Sequence, residues 1–316
     1  MRVPVVMQAP VGPAATVALV VAVSSAGGLG CLAASWTPVP TLREQIRDIQ
    51  RQLDRPFGVN LVLAFDQHER LELVAEEQVP VVSLSWGVDR WAIARARAAG
   101  ATVMVQVGDA QAGVQAVSAG ADLLVLQGVE AGGHVQARMP LRRLIRELRG
   151  RVGVPLFAAG GVAEPSALAA ALAAGASGVA AGTAYLAADE ADVHAVYRDR
   201  LFNAHAADTC LTELFDVGWP NAPHRVLRNS TLEAWHAAGC PPPGHRPGEN
   251  QPLGTRAGQP IVRYSDAQPT SDTHGDIEAM ALYAGCGVDH VRHKEPASAI
   301  TTRLLRATAR ISEVRT

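Results

Sequence analysis

What this 316-residue chain lacks narrows it before any motif is read. It has no Cys-x-x-Cys pair: Cys31, Cys210, Cys240 and Cys286 stand far apart. Structural zinc needs clustered thiolates or imidazoles, so none is expected, and reduced thiols of a cytoplasmic protein are the default. There is no run of like charge, and the formal net charge is −2. That argues against nucleic acid or a membrane surface as partner. No stretch reaches the ~18 apolar residues of a membrane span. The apolar segment 16–26 behind Arg2 imitates a signal peptide. Yet an extended segment, 3–7, and the pair Pro10 and Pro13 come first, and Gly27-Gly28 follows. Strand, turn, helix and strand describe that order better. With 48% hydrophobic and 18% charged residues, the chain has the makings of a large folded core rather than a disordered one.

Against these absences stands a repeat. Helical stretches end in Ala99-Gly100-Ala101, Ala119-Gly120-Ala121 and Ala174-Gly175-Ala176, and an apolar strand follows each. The first two lie 20 residues apart and the third 55 beyond the second, room for two units and one longer loop. Glycine past a helix and before a strand is what an αβ connection needs. Successive helix–strand units build a parallel sheet. Eight strands are predicted, at 3–7, 29–31, 57–60, 81–84, 102–106, 123–127, 156–158 and 178–181. Helices are predicted at 16–26, with Thr16 as N-cap and Gly27 as stop, and at 41–53, 69–77, 141–149, 277–283 and 297–309. Eight parallel strands in roughly 180 residues favour an α/β fold of the (β/α)8 TIM-barrel kind. A doubly wound sheet usually carries G-x-G-x-x-G after its first strand, and the turn at 8–12 has none. After Leu186 the character changes. Residues 189–240 read as helical and polar, and 241–275, headed by Pro241-Pro242-Pro243, as a long loop, lid or linker. The barrel is thus expected over 1–188 and 291–316. Segment 189–290 is expected as a helical, loop-rich appendage over its mouth, with the last helix closing the barrel.

Barrel enzymes work at the carboxyl ends of their strands. Here those ends are Gln8, Cys31, Asn60, Ser83 with Ser85, Gln106, Gln127, Gly160-Gly161 and Gly182-Thr183. Four are amides and none forms a charged pair. Such a wall suits a neutral heteroaromatic ring, such as an isoalloxazine, better than a metal or a sugar. A single Gln or Asn would more simply cap its strand. Loops seven and eight of a barrel often hold phosphate, because backbone N–H groups approach closely where no Cβ intervenes. Ordinary tight αβ packing also uses glycine. His134, closing the stretch LLVLQGVEAGGH at 123–134, is the candidate for proton transfer. Gly132-Gly133 leave room beside it, and an imidazole titrates near neutral pH. Glu130 either orients His134 or, the simpler reading, is a solvated turn acid. Tyr283 either reaches the mouth from the appendage or packs in a core. Cys31 suits a core at least as well as a cleft. His290 and His293 have no third ligand at useful spacing, so no metal site is expected. No G-x-S-x-G elbow or Walker loop is present.

Together these pieces resemble the nitronate monooxygenase family, formerly called 2-nitropropane dioxygenases. The matching segments are Gln8-Ala9-Pro10, Ser25-Ala26-Gly27-Gly28-Leu29-Gly30, Pro56-Phe57-Gly58-Val59-Asn60, the run from Gln127 to His134, Ala159-Gly160-Gly161 and Gly182-Thr183-Ala184-Tyr185-Leu186. Arg225-Val226-Leu227-Arg228-Asn229 and Tyr283-Ala284-Gly285 extend the match over nearly the whole chain. The resemblance implies an FMN-containing barrel that oxidises alkyl nitronates or nitroalkanes, a small-molecule substrate, with molecular oxygen taking the electrons from the flavin. It implies that Asn60, Gln106 and Gln127 contact the flavin ring or ribityl chain, with Gln8 and Ala181 at the same cofactor. Gly132 would pass close to it, and Gly160, Gly161, Gly182 and Thr183 would hold its phosphate. His134 would be the base or electrostatic partner beside the substrate. The chain departs from the family's usual pattern in Val135-Gln136-Ala137 after His134, in Val11 for Met, in Ala180-Ala181 before the Gly-Thr pair and in Cys286 for Gln. A related barrel, the FMN-dependent enoyl-acyl-carrier-protein reductase, shares the Gly-rich His segment and uses NAD(P)H. That reductase and a flavin-binding protein without turnover stand as the alternatives.

Overall fold

Strands buried on both faces belong to a parallel sheet wrapped in helices, and the computed structural model, which describes residues 3–314 and side chains as far as Arg306, has such a sheet. Residues 1–2 and 315–316, the ends of the expected barrel ranges, lie outside the described residues. The first nine strands are β1 (Val6–Gln8), β2 (Cys31–Ala33), β3 (Gly58–Val62), β4 (Val81–Ser85), β5 (Thr102–Val107), β6 (Leu123–Gln127), β7 (Gly133–His134), β8 (Leu156–Ala159) and β9 (Gly178–Ala181). All but β7 join one parallel sheet in the order β1-β9-β8-β6-β5-β4-β3-β2. The two ends of that order meet: Gln8 N–H donates to Leu29 O and Leu29 N–H to Val6 O, both at 2.9 Å. The sheet therefore closes into a TIM barrel, as its eight expected strands require. The first two strands begin two to three residues later than expected. β1 starts where its partner does, with Val6 opposite Val179.

The strand period of two sorts the side chains. Met104, Leu123, Val125, Phe157 and Ala180 fill the barrel interior. Their neighbours Val103, Val105, Leu124, Leu126, Ala158, Val179 and Ala181 pack outward into the helix-facing core. Continuing the inward rows towards the carboxyl ends brings Asn60, Gln106 and Gln127 to the mouth.

The helices α1 (Val17–Ser25), α2 (Val39–Gln52), α3 (His68–Glu76), α4 (Arg90–Ala98), α5 (Ala110–Ser118), α6 (Leu141–Leu148) and α7 (Pro165–Ala174) alternate with the strands. Thr16 Oγ1 caps α1 by accepting from Leu19 N at 3.0 Å. The Ala-Gly-Ala repeat does what its spacing implied: Gly100, Gly120 and Gly175 end α4, α5 and α7 at φ +87°, +106° and +112°.

After β9 come α8 (Ala195–Asn203) and α9 (Ser230–Ala237), and the last helix, α10 (Ala297–Val314), packs on α1 and α7 in the barrel's outer ring. Two small antiparallel sheets run among these helices. One is ordered β10 (Thr209–Thr212), β11 (His224–Leu227), β7. The other sets β12 (Pro252–Arg256) between β13 (Gln259–Val262) and β14 (Thr273–Gly275). The expected long loop 241–275 thus contains a small three-stranded sheet. The helix expected at 277–283 is only the turn Ile277–Ala279. Beyond it β11 captures the backbone: Leu227 N–H donates to Leu282 O, and Ala284 N–H to Arg225 O. Among the described residues no helix is long and apolar enough to cross a membrane.

Candidate active site

The carboxyl ends of the strands and the segments around Trp219, Asp266 and Tyr283 enclose a cleft of about 600 Å³. Asn60, Gln106, Gln127, Gly132, His134, Gly160, Gly161, Gly182 and Thr183 all line it. Gln8 and Ala181 do not. They are partners in the β1–β9 register, and the pleat that turns Ala180 to the cleft turns Ala181 to the helices. Gln8 is fully buried, and its Oε1 accepts from Cys31 N at 2.9 Å, so it secures the seam between β1 and β2. Cys31 lies in the barrel interior, where burial pushes its thiol well up from the ordinary value.

One end of the cleft is made of bare backbone. Gly160 and Gly161 hold φ +124° and +71°, and a Cβ on Gly160 would stand 3.0 Å from Ala131 N. Gly182 leads into the short turn Thr183–Ala187. Among the described residues, nothing accepts from the backbone N–H groups of Gly160, Gly161, Gly182 or Thr183. Amides without partners at glycine corners make a concavity for an anion. Gly132 lines the cleft, but what demands glycine there is another chain segment. A Cβ would stand 2.4 Å from Gly285 N and 2.6 Å from Ala284 C. Gly285 N in turn donates to Thr183 Oγ1 at 3.0 Å.

The amide side chains divide their work. Asn60 Nδ2 donates to Ser83 O at 3.2 Å and Ser83 Oγ at 3.1 Å. Gln106 makes no side-chain hydrogen bond to a described residue. Gln127 is a clasp: its Nε2 donates to His134 O at 2.9 Å, and its Oε1 accepts from Gln136 N at 2.8 Å. The residues that depart from the family pattern after His134 are therefore seated. Val135 is fully buried, and its N–H donates to Pro223 O at 2.7 Å. Glu130 is not a solvated acid; its carboxylate accepts from Leu141 N at 3.0 Å, at the start of α6.

His134 sits on β7, opposite His224 of β11. Its ring stacks on Trp219, with centroids 4.3 Å apart at 25°, and meets His224 at 5.3 Å and Tyr283 at 5.5 Å. Its buried Nε2 has no hydrogen-bond partner among the described residues. Burial, and secondarily His224, push its pKa down to about 3. The expectation of titration near neutral pH is thereby corrected: this imidazole is neutral, with a nitrogen free to act. His224 is also held neutral. Its Nδ1 lies 2.9 Å from Ala222 O and its Nε2 accepts from Phe215 N at 3.2 Å, which uses both nitrogens of one tautomer. Arg225 fixes the same ribbon by donating twice to Val129 O, at 2.9 and 2.8 Å.

Tyr283 does reach the cleft from the appendage. Three tryptophans and an acid join it without having been foreseen: Trp36, Trp86, Trp219 and Asp266. Trp36 and Trp86 lie one to three residues past strand ends, so a slightly wider reading of those ends would have found them. Trp219 and Asp266 arrive only through the folding of the appendage. Burial pushes the Asp266 carboxyl up to about 6, against the opposing pull of Arg256.

A family model described as Nitronate monooxygenase matches residues 1–69 and 64–307. The (3aS,4S,5R,7aS)-5-hydroxy-7a-methyl-1-oxo-octahydro-1H-indene-4-carboxyl-CoA dehydrogenase of Mycobacterium tuberculosis is 36% identical over 232 residues, covering 72% of this chain and 64% of the relative. The match thus spans slightly less than two thirds of that relative's length. A nitronate monooxygenase of Pseudomonas aeruginosa is 31% identical over 285 residues, covering 75% of this chain and 80% of the relative. The solved structure of a nitroalkane oxidase from Streptomyces ansochromogenes aligns with a TM-score of 0.78 at 28% identity, over 98% of this chain and 97% of that one.

Proposed function

This chain belongs to the nitronate monooxygenase family, and we propose that it is an FMN-dependent oxidoreductase that oxidises alkyl nitronates with molecular oxygen. One observation carries the reading: a single cleft joins the partnerless amides of Gly160, Gly161, Gly182 and Thr183 to a neutral imidazole whose Nε2 is unengaged. The donor set fits the cofactor. Backbone N–H groups at bare glycine corners suit a phosphate, and the amides of Asn60 and Gln106 suit a neutral ring with donors and acceptors on its rim. Ala159 and Ala180, small residues on the inward rows between them, leave room for that ring. Bound there, FMN would supply a two-electron acceptor that oxygen can regenerate. His134 offers its unengaged, neutral Nε2 to the α-proton of a nitroalkane, and the negative charge of the nitronate formed beside it offsets the burial that disfavours the imidazolium in the empty cleft. Gln127 and Arg225 hold the loop that carries it. The barrel of 1–188 and 291–316 supplies the cofactor side, and the appendage, 189–290, covers it and excludes water.

A second reading has one observation in its favour: the relative of 36% identity is, by its name, a dehydrogenase of a carboxyl-CoA compound. It would keep the same cofactor end and change the substrate. Anaerobic mixing separates these readings. The purified protein should be yellow. Its visible flavin absorbance should bleach with ethyl nitronate, stay unchanged with NADH or NADPH, and return when oxygen is admitted. Bleaching by a reduced nicotinamide alone would move the protein to the reductase reading. A colourless protein that takes up no added FMN would remove the cofactor and with it the whole proposal.

A further inference from the structure

We propose, resting on the reading that this cleft receives a nitronate, that the substrate carries a planar aromatic ring and docks it on Trp36, Trp86 and Trp219. Three of the chain's five tryptophans line this one cleft. Trp86 and Trp219 have ring centroids 4.7 Å apart and Trp36 and Trp219 6.1 Å, with Phe65 behind them at 5.0 Å from Trp219. The wall continues without a break to the imidazole that Trp219 stacks upon. A ring held there lies beside the proton acceptor.

Packing alone does not account for this wall. Trp36 is 58% exposed, so most of its apolar surface awaits a partner. Trp86 holds φ +60°, a backbone conformation that bulky L residues seldom adopt and that persists where the surroundings impose it. The indole N–H groups of Trp36, Trp86 and Trp219 donate to no described residue, whereas Trp235 Nε1 donates to Pro241 O at 2.9 Å. The charges in the cleft point the same way. Arg256 and Asp266 are the charged residues among its described lining, and Arg256 already donates to Gln268 O at 2.9 Å. A polyphosphate handle would find no cluster of cations, while a ring finds stacking faces.

The test compares two redox-inert carboxylates, 3-phenylpropanoate and propanoate, binding to the flavin-loaded protein, followed by tryptophan fluorescence and by the flavin spectrum. It is paired with turnover of the nitronates of 1-nitro-2-phenylethane and nitroethane. The phenyl compound should bind at least about tenfold more tightly and quench indole emission, and its nitronate should have a kcat/KM about tenfold higher. Both preferences should fall below about threefold in Trp36→Ala and in Trp86→Gly, with flavin content retained. Glycine accepts φ +60°, so the second variant removes the ring without straining the backbone. Equal binding of the two carboxylates, or a preference that survives both substitutions, would overturn the proposal. So would tighter binding of coenzyme A or NADPH that the same variants abolish, since the wall would then belong to a nucleotide. Absence of turnover with both nitronates would refute the functional reading, and the carboxylate comparison would still decide the ring.

Discussion

A neutral imidazole keeps one donor and one acceptor nitrogen, and His134 is neutral at pH 7. Its Nε2 is buried and unengaged, and burial together with His224 holds its pKa near 3. His134→Ala should therefore keep its flavin absorbance and lose roughly 10²- to 10⁴-fold in nitronate turnover; unchanged kinetics would make the imidazole structural. The same shift couples to stability. Unfolded imidazoles bind protons near pH 6.5, while folded His134 binds one only near 3, and His224 is likewise depressed by burial. Their contribution is fully present above pH 6.5 and is lost as pH falls, at up to about 1.4 kcal/mol per pH unit for each imidazole. Because the raised Asp266 carboxyl stabilises in the opposite direction over the same range, urea unfolding at pH 7 and pH 5 should show that slope in an Asp266→Asn background, and adding His224→Asn should reduce it. Asp266 acts in the opposite sense, on binding. Its carboxyl, raised to about 6, becomes an anion facing the nitronate's cleft above that pH. KM for a nitronate should rise as pH passes upward through 6, and Asp266→Asn should flatten the rise. None of these shifts was legible in the sequence. The strand-end position of His134 was, but its neutrality comes from Trp219, Tyr283 and His224, residues 85 to 149 positions further on that only folding brings near.

The ribbon behind that histidine is an element built from distant pieces. β6 delivers Gln127 to the mouth, and Gln127 then spends both ends of its amide on the backbone of the next loop, at His134 O and Gln136 N. β11 pairs with β7 on the other side. The inward row of β6 made Gln127 visible as a cleft residue, yet its role as a clasp depends on how the following turn folds back, which periodicity does not encode. Replacing it by Leu leaves an acceptor and a donor, both half-buried, unpaired. That should cost about 1–3 kcal/mol in urea unfolding and should lower turnover while the flavin content holds, since no bond of the glycine cradle is touched. A variant that lost flavin and turnover together would instead make Gln127 a cofactor contact. The two small sheets of the appendage escaped notice for a related reason. Their strands are two to five residues long and partly exposed, with Pro252 and Pro260 within the second sheet, so no apolar run announces them.

At the scale of the whole molecule, the barrel was readable because every unit repeats one physical solution: an apolar strand, a helix and a glycine stop. The roof was not, because it is assembled from unlike pieces. The cleft draws Asn60, Gln106 and the glycine cradle from the barrel, and Trp219, Asp266, Tyr283 and Gly285 from 189–290. Close backbone contacts join the two parts at the cleft: Gly132 against Gly285, and Gly285 N on Thr183 Oγ1. A ligand filling that space touches both, so it should stabilise them as a unit. With FMN at about 100 times its dissociation constant, linkage adds about 2.7 kcal/mol, which for a chain of this size amounts to several degrees in Tm. Thermal unfolding of the flavin-depleted protein, with and without added FMN, should show that rise in one transition seen alike by tryptophan emission and by far-ultraviolet circular dichroism. Gly160→Ala, which places a Cβ 3.0 Å from Ala131 N at an unfavourable φ, should lose most of the FMN-dependent rise. A rise confined to tryptophan emission would mean that FMN orders the roof without bracing the barrel, and no rise at all would place the cofactor elsewhere.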